Sequence, residues 1–286
     1  FGGKASHLGE LMRLGINVPS GFCIGHAAIT ALTCNAGQKI NEVDAVLKSK
    51  LAEIVRPYFS SLTKHAGAGT LLAVRSSASG EDSAGASFAG QFDSILGVRT
   101  IDEVCDAIIL CWKSNSSGRA ISYMRKRKLP TASMSVIVQQ LIVPETAGVC
   151  FTCHPVTFDK DMVVVEANWG FGDTVVSGMV SPDHFEVSAT SRKVKIRLVA
   201  RKRCMSMLLG NKIEQVPIPE DQQRNVCLND VDIFKIVDTA LTIQAHFNHP
   251  QDIEWVLAGG KLFIVQSRPV TVVRPSAHKK EEIVHV

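Results

Sequence analysis

Long hydrophobic runs are missing from this sequence of 286 residues. No apolar stretch approaches about 18 residues, the length at which a transmembrane helix becomes a candidate, so we expect no membrane span and no membrane partner. A signal peptide is not visible either. The chain begins at Phe1 instead of Met, inside what resembles a functional loop. We therefore expect a fragment of a longer protein whose N-terminus is truncated.

A strong net charge is also absent. With 31 Lys and Arg against 27 Asp and Glu, the net charge is +4 at pH 7, which is too mild to indicate nucleic-acid binding. Two basic runs, at 125–128 and 201–203, are interpreted as solvated faces, and a polyanion-binding patch is the alternative. The length and the 45% hydrophobic content are enough for one large domain or two smaller ones.

Paired cysteines with the spacing of a zinc site are absent too. The eight cysteines lie mostly in apolar runs, where a reduced thiol packs as a small hydrophobe, so we expect a cytoplasmic protein without disulfides. Cys150 and Cys153 precede His154 in the spacing of c-type haem attachment. Because this segment continues a strand-like run and ends in Pro155, a haem-bearing electron carrier is the weaker alternative. A visible absorption band would reveal it.

Turning to what is present, residues 252–269 alternate between apolar and polar side chains on both sides of Gly259 and Gly260. This pattern predicts a β-hairpin. Pairing Ala258 with Leu262 leaves a three-residue loop between the two strands. In this register Val256 lies opposite Ile264, and the acidic residues of the first strand lie opposite polar residues of the second.

The predicted register has a chemical consequence, because it sets Glu254 opposite Gln266 and Asp252 opposite Arg268. A carboxylate and an amide oxygen then converge beside a guanidinium group, as in a Mg²⁺ site next to a phosphate-binding arginine. The alternative is a cross-strand salt bridge on a solvated sheet face. Loop length distinguishes the two, since a two-residue loop would put Glu254 and Gln266 on opposite faces.

Two further segments could bind phosphate. Gly2, Gly3 and Lys4 precede an amphipathic helix, where backbone amides and a lysine can approach an anion, but the P-loop spacing is absent and a plain turn is the alternative. Arg75 ends a buried strand and is followed by a stretch of small residues at 79–94. Small residues allow a ligand to approach the backbone closely, and a surface loop is the alternative.

Polar residues interrupt two other apolar strands. Gln139 and Gln140 lie within the strand at 135–143, which could offer an adenine ring an apolar slot with a few hydrogen bonds. The alternative is that one of these amides satisfies a neighbouring strand edge. Glu166 interrupts the apolar run at 163–169, and a buried carboxylate needs a partner or a ligand.

Apolar residues recur at helical spacing in four segments, at 41–56, 102–114, 116–128 and 230–247. The predicted N-terminal caps of three of these helices are Asn41, Asp102 and Asp230. Strands are expected near 183–188 and 193–199, where they would complete a sheet.

Taken in order, these motifs resemble the ATP-binding domain of phosphoenolpyruvate synthases, which pyruvate phosphate dikinases and rifampicin phosphotransferases share. The resembling segments are 2–10, 18–22, 74–91, 147–157, 166–172 and 252–269. The resemblance covers roughly residues 1–272 and implies an α+β, ATP-grasp-like fold in which two lobes enclose a nucleotide cleft. Residues 273–286 would then be a C-terminal linker. The order Val-Arg-Ser-Ser-Ala at 74–78 favours the synthase or antibiotic-kinase branch over the dikinases.

The resemblance implies ATP and Mg²⁺ as cofactors and assigns roles at the phosphates. Lys4, Arg75 and Arg268 would hold the phosphates and stabilise the charge that develops during transfer. Glu254 and Gln266 would ligate Mg²⁺.

The resemblance also implies the remaining contacts to the nucleotide. Asp252 would support the metal ligands, and Gly90 and Ser94 would lie over the phosphates. Gln140, together with Gln139, would border the adenine. Ser94 and Asp173 stand where the family commonly shows Thr and Glu, and both are mild departures.

The function implied is an ATP-dependent phosphotransferase that passes a phosphoryl or pyrophosphoryl group to a histidine on a separate swivelling domain. This sequence has no phosphohistidine motif, so the carrier and the acceptor-substrate site would belong to parts missing from the chain. A phosphoenolpyruvate synthase-like enzyme is the first expectation. The alternatives are an antibiotic or glucan acceptor, as in rifampicin phosphotransferases, and a non-catalytic nucleotide-binding remnant.

Overall fold

The structure is a computed structural model that describes residues 1–33, 40–67, 69–79, 82–83, 86–87, 94–114, 133–210 and 212–270. Gly90 and most of the small-residue stretch lie outside the described residues. So do the predicted helix at 116–128, the basic run at 125–128 and the predicted linker at 273–286.

Helices in the described part of the chain occur mostly where apolar residues recur at helical spacing. They are α1 (Gly3–Arg13), α2 (His26–Thr33), α3 (Ile40–Ala66), α4 (Ile101–Lys113), α5 (Asp173–Val176) and α6 (Asp230–Phe247). All three predicted caps are wrong, and Asn41 lies inside α3, which begins at Ile40. Thr100 caps α4 in a capping box with Glu103, and Asn229 caps α6 by accepting from the Asp232 amide. In both cases the cap is the extended residue just before the acidic first turn.

The strands of the described residues fall into four sheets. The N-terminal strands are β1 (Gly21–Ile24), β2 (Leu72–Ala78), β3 (Asp82–Ser83), β4 (Ala86–Ser87), β5 (Ser94–Val98) and β6 (Met134–Gln140). The remaining strands are β7 (Thr146–Phe151), β8 (Met162–Trp169), β9 (Asp183–Ser188), β10 (Val194–Leu198), β11 (Cys204–Leu209), β12 (Lys212–Pro217), β13 (Gln251–Ala258) and β14 (Lys261–Pro269).

The smaller of the two main sheets is antiparallel and has the order β1-β6-β2-β5. Successive residues of a strand point to opposite faces, so Leu72 and Val74 enter one core with α3 and α4 while Arg75 points to the other face. This alternation exposes a polar side chain on the side that faces the second sheet.

The larger sheet has the order β10-β9-β8-β7-β13-β14 and is covered by α6 on one face. Val163, Val165 and Trp255 point into that core, which the apolar face of α6 completes. The intervening residues, Glu166 and Glu254 among them, point to the opposite face. Helix α1 adds Leu8 and Leu11 to this core and also contacts β2 of the smaller sheet. It therefore joins the two lobes.

The fold is α+β, and a cleft between the two main sheets is lined by residues of both lobes. This architecture confirms the predicted two-lobed arrangement. One interpretation of the basic runs is wrong, because Lys202 in the run at 201–203 is fully buried and paired with Asp183.

Candidate functional site

The cleft has a volume of about 340 Å³ and brings together residues that are distant in the sequence. From the N-terminal part of the chain it is lined by Lys4, Arg75, Ser94, Gln139 and Gln140, and from the final hairpin by Glu254, Gln266 and Arg268. Asp252 lies beside this wall, paired with Arg268. Of the residues that the sequence nominated, Gly90 is outside the described part of the chain.

The hairpin reaches this arrangement by a different register near its turn. Gly259 and Gly260 both adopt positive φ, 55° and 70°, so the loop has two residues and Ala258 pairs with Lys261. The predicted three-residue loop is therefore wrong, and Val256 faces Phe263 instead of Ile264. Two glycines in the left-handed region suit the tight turn that matches strand twist.

A β-bulge in the second strand of the hairpin restores the predicted pairing of Glu254 with Gln266. Trp255 pairs with Ile264 and Glu254 pairs with Gln266, which leaves Val265 as an extra residue in β14. An extra residue reverses the alternation beyond it. Glu254 and Gln266 therefore share the cleft face in spite of the short loop, and Asp252 still pairs with Arg268.

Arg75 crosses the cleft from β2 and binds the bulged segment. Its Nη1 donates to the Val265 carbonyl at 2.8 Å, and its Nη2 donates to Gln266 Oε1 at 3.1 Å. The same Nη2 lies 3.5 Å from Glu254 Oε2. The two oxygens predicted to be metal ligands thus converge on one point, which a cation already occupies.

Arg268 and Asp252 form the cross-strand salt bridge that was the alternative interpretation of the hairpin. Arg268 Nη2 lies 2.7 Å and Nε 2.8 Å from Asp252 Oδ2. Burial raises the pKa of Asp252 above its ordinary value, although Arg268 opposes the shift; the charge of Glu254 adds to it. Asp252 therefore orients Arg268 at the cleft wall.

Lys4 is placed by a close contact between α1 and β2. A Cβ added to Gly2 would lie 2.1 Å from the Ser77 carbonyl oxygen, so only glycine fits there. The Ala5 amide donates to Ser77 Oγ at 3.1 Å. Further along α1, His7 Nδ1 lies 2.9 Å from the Ser267 carbonyl oxygen, between Gln266 and Arg268, so this nitrogen carries the proton. The helix is thus joined to both lobes.

The other end of the cleft is apolar, with Leu96, Ile142 and Val256 in its wall. Gln140 lines this end. Gln139 is buried, and its amide donates to the Pro19 carbonyl at 3.0 Å, which fits the alternative that it satisfies a strand edge. An apolar slot with an amide at its border can hold an aromatic heterocycle.

Glu166 does not line the cleft. Its Oε1 lies 3.3 Å from His184 Nδ1, while His184 Nε2 lies 3.3 Å from Glu186 Oε1. The hydrogen bond with Glu166 raises the pKa of His184, and the bond with Glu186 adds to this. The partner that a half-buried Glu166 needs is therefore a histidine of the next strand.

The described residues show no sign of three other features: a haem attachment site, a cluster of metal-binding side chains and a membrane-spanning helix. Cys150 and Cys153 are buried, and burial raises the pKa of both thiols, so they do not form the exposed segment that haem attachment needs. Within the described residues, no group of three or more His, Cys, Asp and Glu side chains could hold a metal ion. Over the same ranges, no helix combines the length and the apolar character needed to cross a membrane.

Sequence reasoning missed several residues of the cleft. Gly148, Phe171, Asp173 and Val176 all contribute to its wall. Gly148 had a detectable signal as a glycine inside a strand, because a Cβ there would lie 1.8 Å from the Glu166 carbonyl oxygen. Asp173 was noticed only for its position after a glycine-rich turn.

Comparison with known proteins is consistent with a nucleotide cleft. The profile of a family described as "Pyruvate phosphate dikinase, AMP/ATP-binding domain" matches residues 35–285. A rifampicin phosphotransferase of Streptomyces sp is 34% identical over 316 residues, covering 100% of this chain and 36% of that protein. A probable phosphoenolpyruvate synthase of Archaeoglobus fulgidus is 34% identical over 310 residues, covering 98% and 41%.

This chain spans only about two fifths of the length of these relatives. Among solved structures, a D-alanine–D-alanine ligase from Bacillus anthracis complexed with ATP covers 93% of this chain and 55% of its own, at 8% identity and a TM-score of 0.38. That likeness is too distant to carry an argument. The family profile, in contrast, matches most of the chain, which therefore belongs to the pyruvate phosphate dikinase AMP/ATP-binding domain family.

Proposed function

We propose that this chain binds Mg·ATP in the cleft and passes a phosphoryl or pyrophosphoryl group to a histidine on a separate swivelling domain. It would be the ATP-binding part of a phosphoenolpyruvate synthase-like enzyme. The observation that carries the proposal is the convergence of Lys4, Arg75 and Arg268 with Glu254 and Gln266 at one end of a cleft whose other end is apolar.

The three cations come from α1, β2 and β14, which are far apart in the sequence. A triphosphate carries several negative charges, and in a cleft partly closed to water each cation stabilises it more than in bulk solvent. Phosphoryl transfer depends mainly on positioning and on stabilising the charge of the leaving and transferred groups. Lys4, Arg75 and Arg268 would supply both, and no side chain of this chain need act as a nucleophile.

The Glu254 and Gln266 oxygens fit the chemistry of a magnesium ion. Both accept from the same Arg75 nitrogen, at 3.5 and 3.1 Å, so they already face a common cation. Mg²⁺ prefers oxygen ligands and is usually held by one or two protein groups together with substrate phosphates and water. When bound, it would neutralise phosphate charge, and Asp252 would act indirectly by orienting Arg268.

The proposal also concerns the substrate that finally accepts the phosphoryl group. The phosphoenolpyruvate synthase and rifampicin phosphotransferase relatives are equally similar at 34% identity, so an antibiotic acceptor is a second candidate. In either case the carrier histidine and the acceptor site would lie on other domains. We take residues 1–272 as the nucleotide-binding domain and 273–286 as the linker towards them.

The test is a calorimetric titration of the chain with Mg·ATP. Glu254→Ala should weaken binding by about a hundredfold, because it removes a charged ligand from the metal end of the cleft. Glu145→Ala is the matched control, since that carboxylate is exposed, does not line the cleft and accepts from the Gly259 amide at 3.2 Å. Equal effects of the two substitutions would contradict the site.

A further inference from the structure

Asp173 is a carboxylate in the cleft wall to which the proposed chemistry gives no role. It is the first residue of α5 and is exposed. Its Oδ2 accepts from Ser206 Oγ at 2.7 Å, and Ser206 is completely buried. In the described part of the chain its side chain has no other hydrogen bond, so Oδ1 remains available to a ligand in the cleft.

The position of Asp173 along the cleft follows from the residue before it. Gly172 packs over β7, where a Cβ would lie 3.5 Å from Ala147 Cβ and 3.7 Å from the Gly148 amide nitrogen. Ala147 pairs with Val256, and Gly148 pairs with Trp255, one residue beyond Glu254. Asp173 therefore stands near the middle of the cleft, between the Glu254 end and the apolar end.

If the triphosphate occupies the cationic end and the adenine the apolar end, the middle of the cleft receives the sugar. We propose that Asp173 accepts hydrogen bonds from the ribose hydroxyls of the nucleotide and thereby favours ribonucleotides. This inference rests on the proposed function. A ribose offers two adjacent hydroxyl groups as donors. An ionised carboxylate can accept from both, and these hydrogen bonds are strengthened by its charge.

Ser206 gives the carboxylate a fixed orientation. The Ser206 carbonyl accepts from the Phe171 amide at 2.9 Å, and a Cβ on Gly170 would lie 2.1 Å from the same oxygen. The turn that carries Asp173 is thus tied to β11 through backbone and side chain together. A ligand held by a preorganised acceptor loses less entropy on binding than one that must order the side chain first.

The competing role for Asp173 is a third carboxylate ligand of the metal. Its location beside Ala147 and Gly148 argues against this, because Glu254 pairs with Val149 on the other side of Gly148. Among the described residues, Asp173 also does not group with Asp252 and Glu254 as a possible metal site. A metal ligand would affect all nucleotides equally, which makes the two roles separable.

The experiment compares the affinities of the full chain for ATP and for 2′,3′-dideoxy-ATP, both with Mg²⁺, by calorimetry. The unmodified chain should bind ATP at least about tenfold more tightly. Asp173→Ala should bring this ratio close to one by weakening ATP binding, with little change for the dideoxy analogue. Asp173→Asn, which keeps a neutral acceptor, and Ser206→Ala, which frees the carboxylate, should both give intermediate ratios.

Asp221→Ala is the matched control, because Asp221 is an exposed aspartate in a turn that does not line the cleft. It should leave the ratio unchanged. An unchanged ratio in the folded Asp173 variants, an equal loss for both nucleotides, or no preference in the unmodified chain would overturn the ribose contact alone. If the unmodified chain fails to bind Mg·ATP at all, the proposed function and this inference fall together.

Discussion

Two aspartate–cation pairs of this protein have the same chemistry and opposite settings. Asp183 and Lys202 are both completely buried, with Nζ 2.5 Å from Oδ1. The remaining oxygen lone pairs of Asp183 accept from the amides of Ala200 at 3.0 Å and Cys227 at 2.9 Å. Asp252 and Arg268 instead keep 12% and 26% of their side chains exposed at the cleft.

The difference in exposure distinguishes an ion pair that stabilises the fold from one that can act on a ligand. A buried ion pair is tolerated when all of its hydrogen-bonding capacity is used within the protein, and such a pair joins the segments around it. A pair at the cleft wall stays partly exposed, so a ligand in the cleft can approach it. We therefore expect changes to the interior pair to lower the stability of the fold, and changes to the cleft pair to lower nucleotide affinity.

The largest effect should come from Asp183→Asn. It leaves the Lys202 ammonium buried without a counter-charge, which should lower the free energy of unfolding by about 3–5 kcal/mol. Urea unfolding measures this loss. Asp238→Asn is the control, because Asp238 and its partner Arg192 keep 60% and 45% of their side chains exposed, so less than about 1 kcal/mol should be lost.

The cleft pair should show the reverse pattern. Asp252→Asn should change the unfolding free energy little, because the burial that raises the pKa of Asp252 already disfavours its charge in the fold. Affinity for Mg·ATP should fall by about tenfold, since Arg268 loses the carboxylate that orients it. If Asp252→Asn destabilised the fold as much as Asp183→Asn, the distinction between the two pairs would be lost.

A substitution between two uncharged residues tests whether the position of Lys4 affects nucleotide affinity without changing either ion pair. Gly2→Ala places a Cβ against the Ser77 carbonyl, so α1 must shift and carry Lys4 away from the cleft. Titration with Mg·ATP should show a loss of about tenfold or less. Gly9→Ala in the same helix meets nothing within 4 Å, so it should leave affinity unchanged and stabilise α1 by up to about 1 kcal/mol.

The smallest effect concerns His184, which does not line the cleft. Its pKa is raised in the fold from 6.5, first by Glu166. A raised histidine pKa contributes stability that is complete below the unfolded value and is lost as the pH rises through the folded value. Stability should therefore decline slightly as the pH rises above about 6.5, and His184→Gln should remove this part of the slope in urea unfolding. Equal slopes would contradict the role of the Glu166 contact.

Local patterns were enough to predict much of the framework. Alternation identified β13 and β14, and helical spacing identified α4 and α6 to within a residue. Helix α3 was predicted to end at 56, but it continues through Pro57 to Ala66. Its apolar face continues past the proline with Leu62, and burial of that face outweighs the local preference to stop.

The candidate site was predictable only in part. The pairing of Glu254 with Gln266 was predicted from a loop of the wrong length, and the bulge at Val265 compensates for the error. The position of a bulge depends on the contacts of the extra residue. The Val265 carbonyl accepts from the guanidinium of Arg75, whose strand is distant in the sequence. Lys202 could not be predicted for the same reason. The basic run around it indicates an exposed side chain, but Lys202 is buried in an ion pair with Asp183, which is distant in the sequence.

By itself, the amino-acid sequence determined most of the long strands and helices and which chemical groups are present, because periodicity and residue type act over a few neighbours. The order of its motifs also determined the family. The tertiary structure decided which groups from distant segments meet. Long-range packing placed Lys4, Arg75 and the final hairpin around one cleft, buried Lys202 with Asp183, and added Asp173 to the wall, because contacts between distant segments depend on the whole fold.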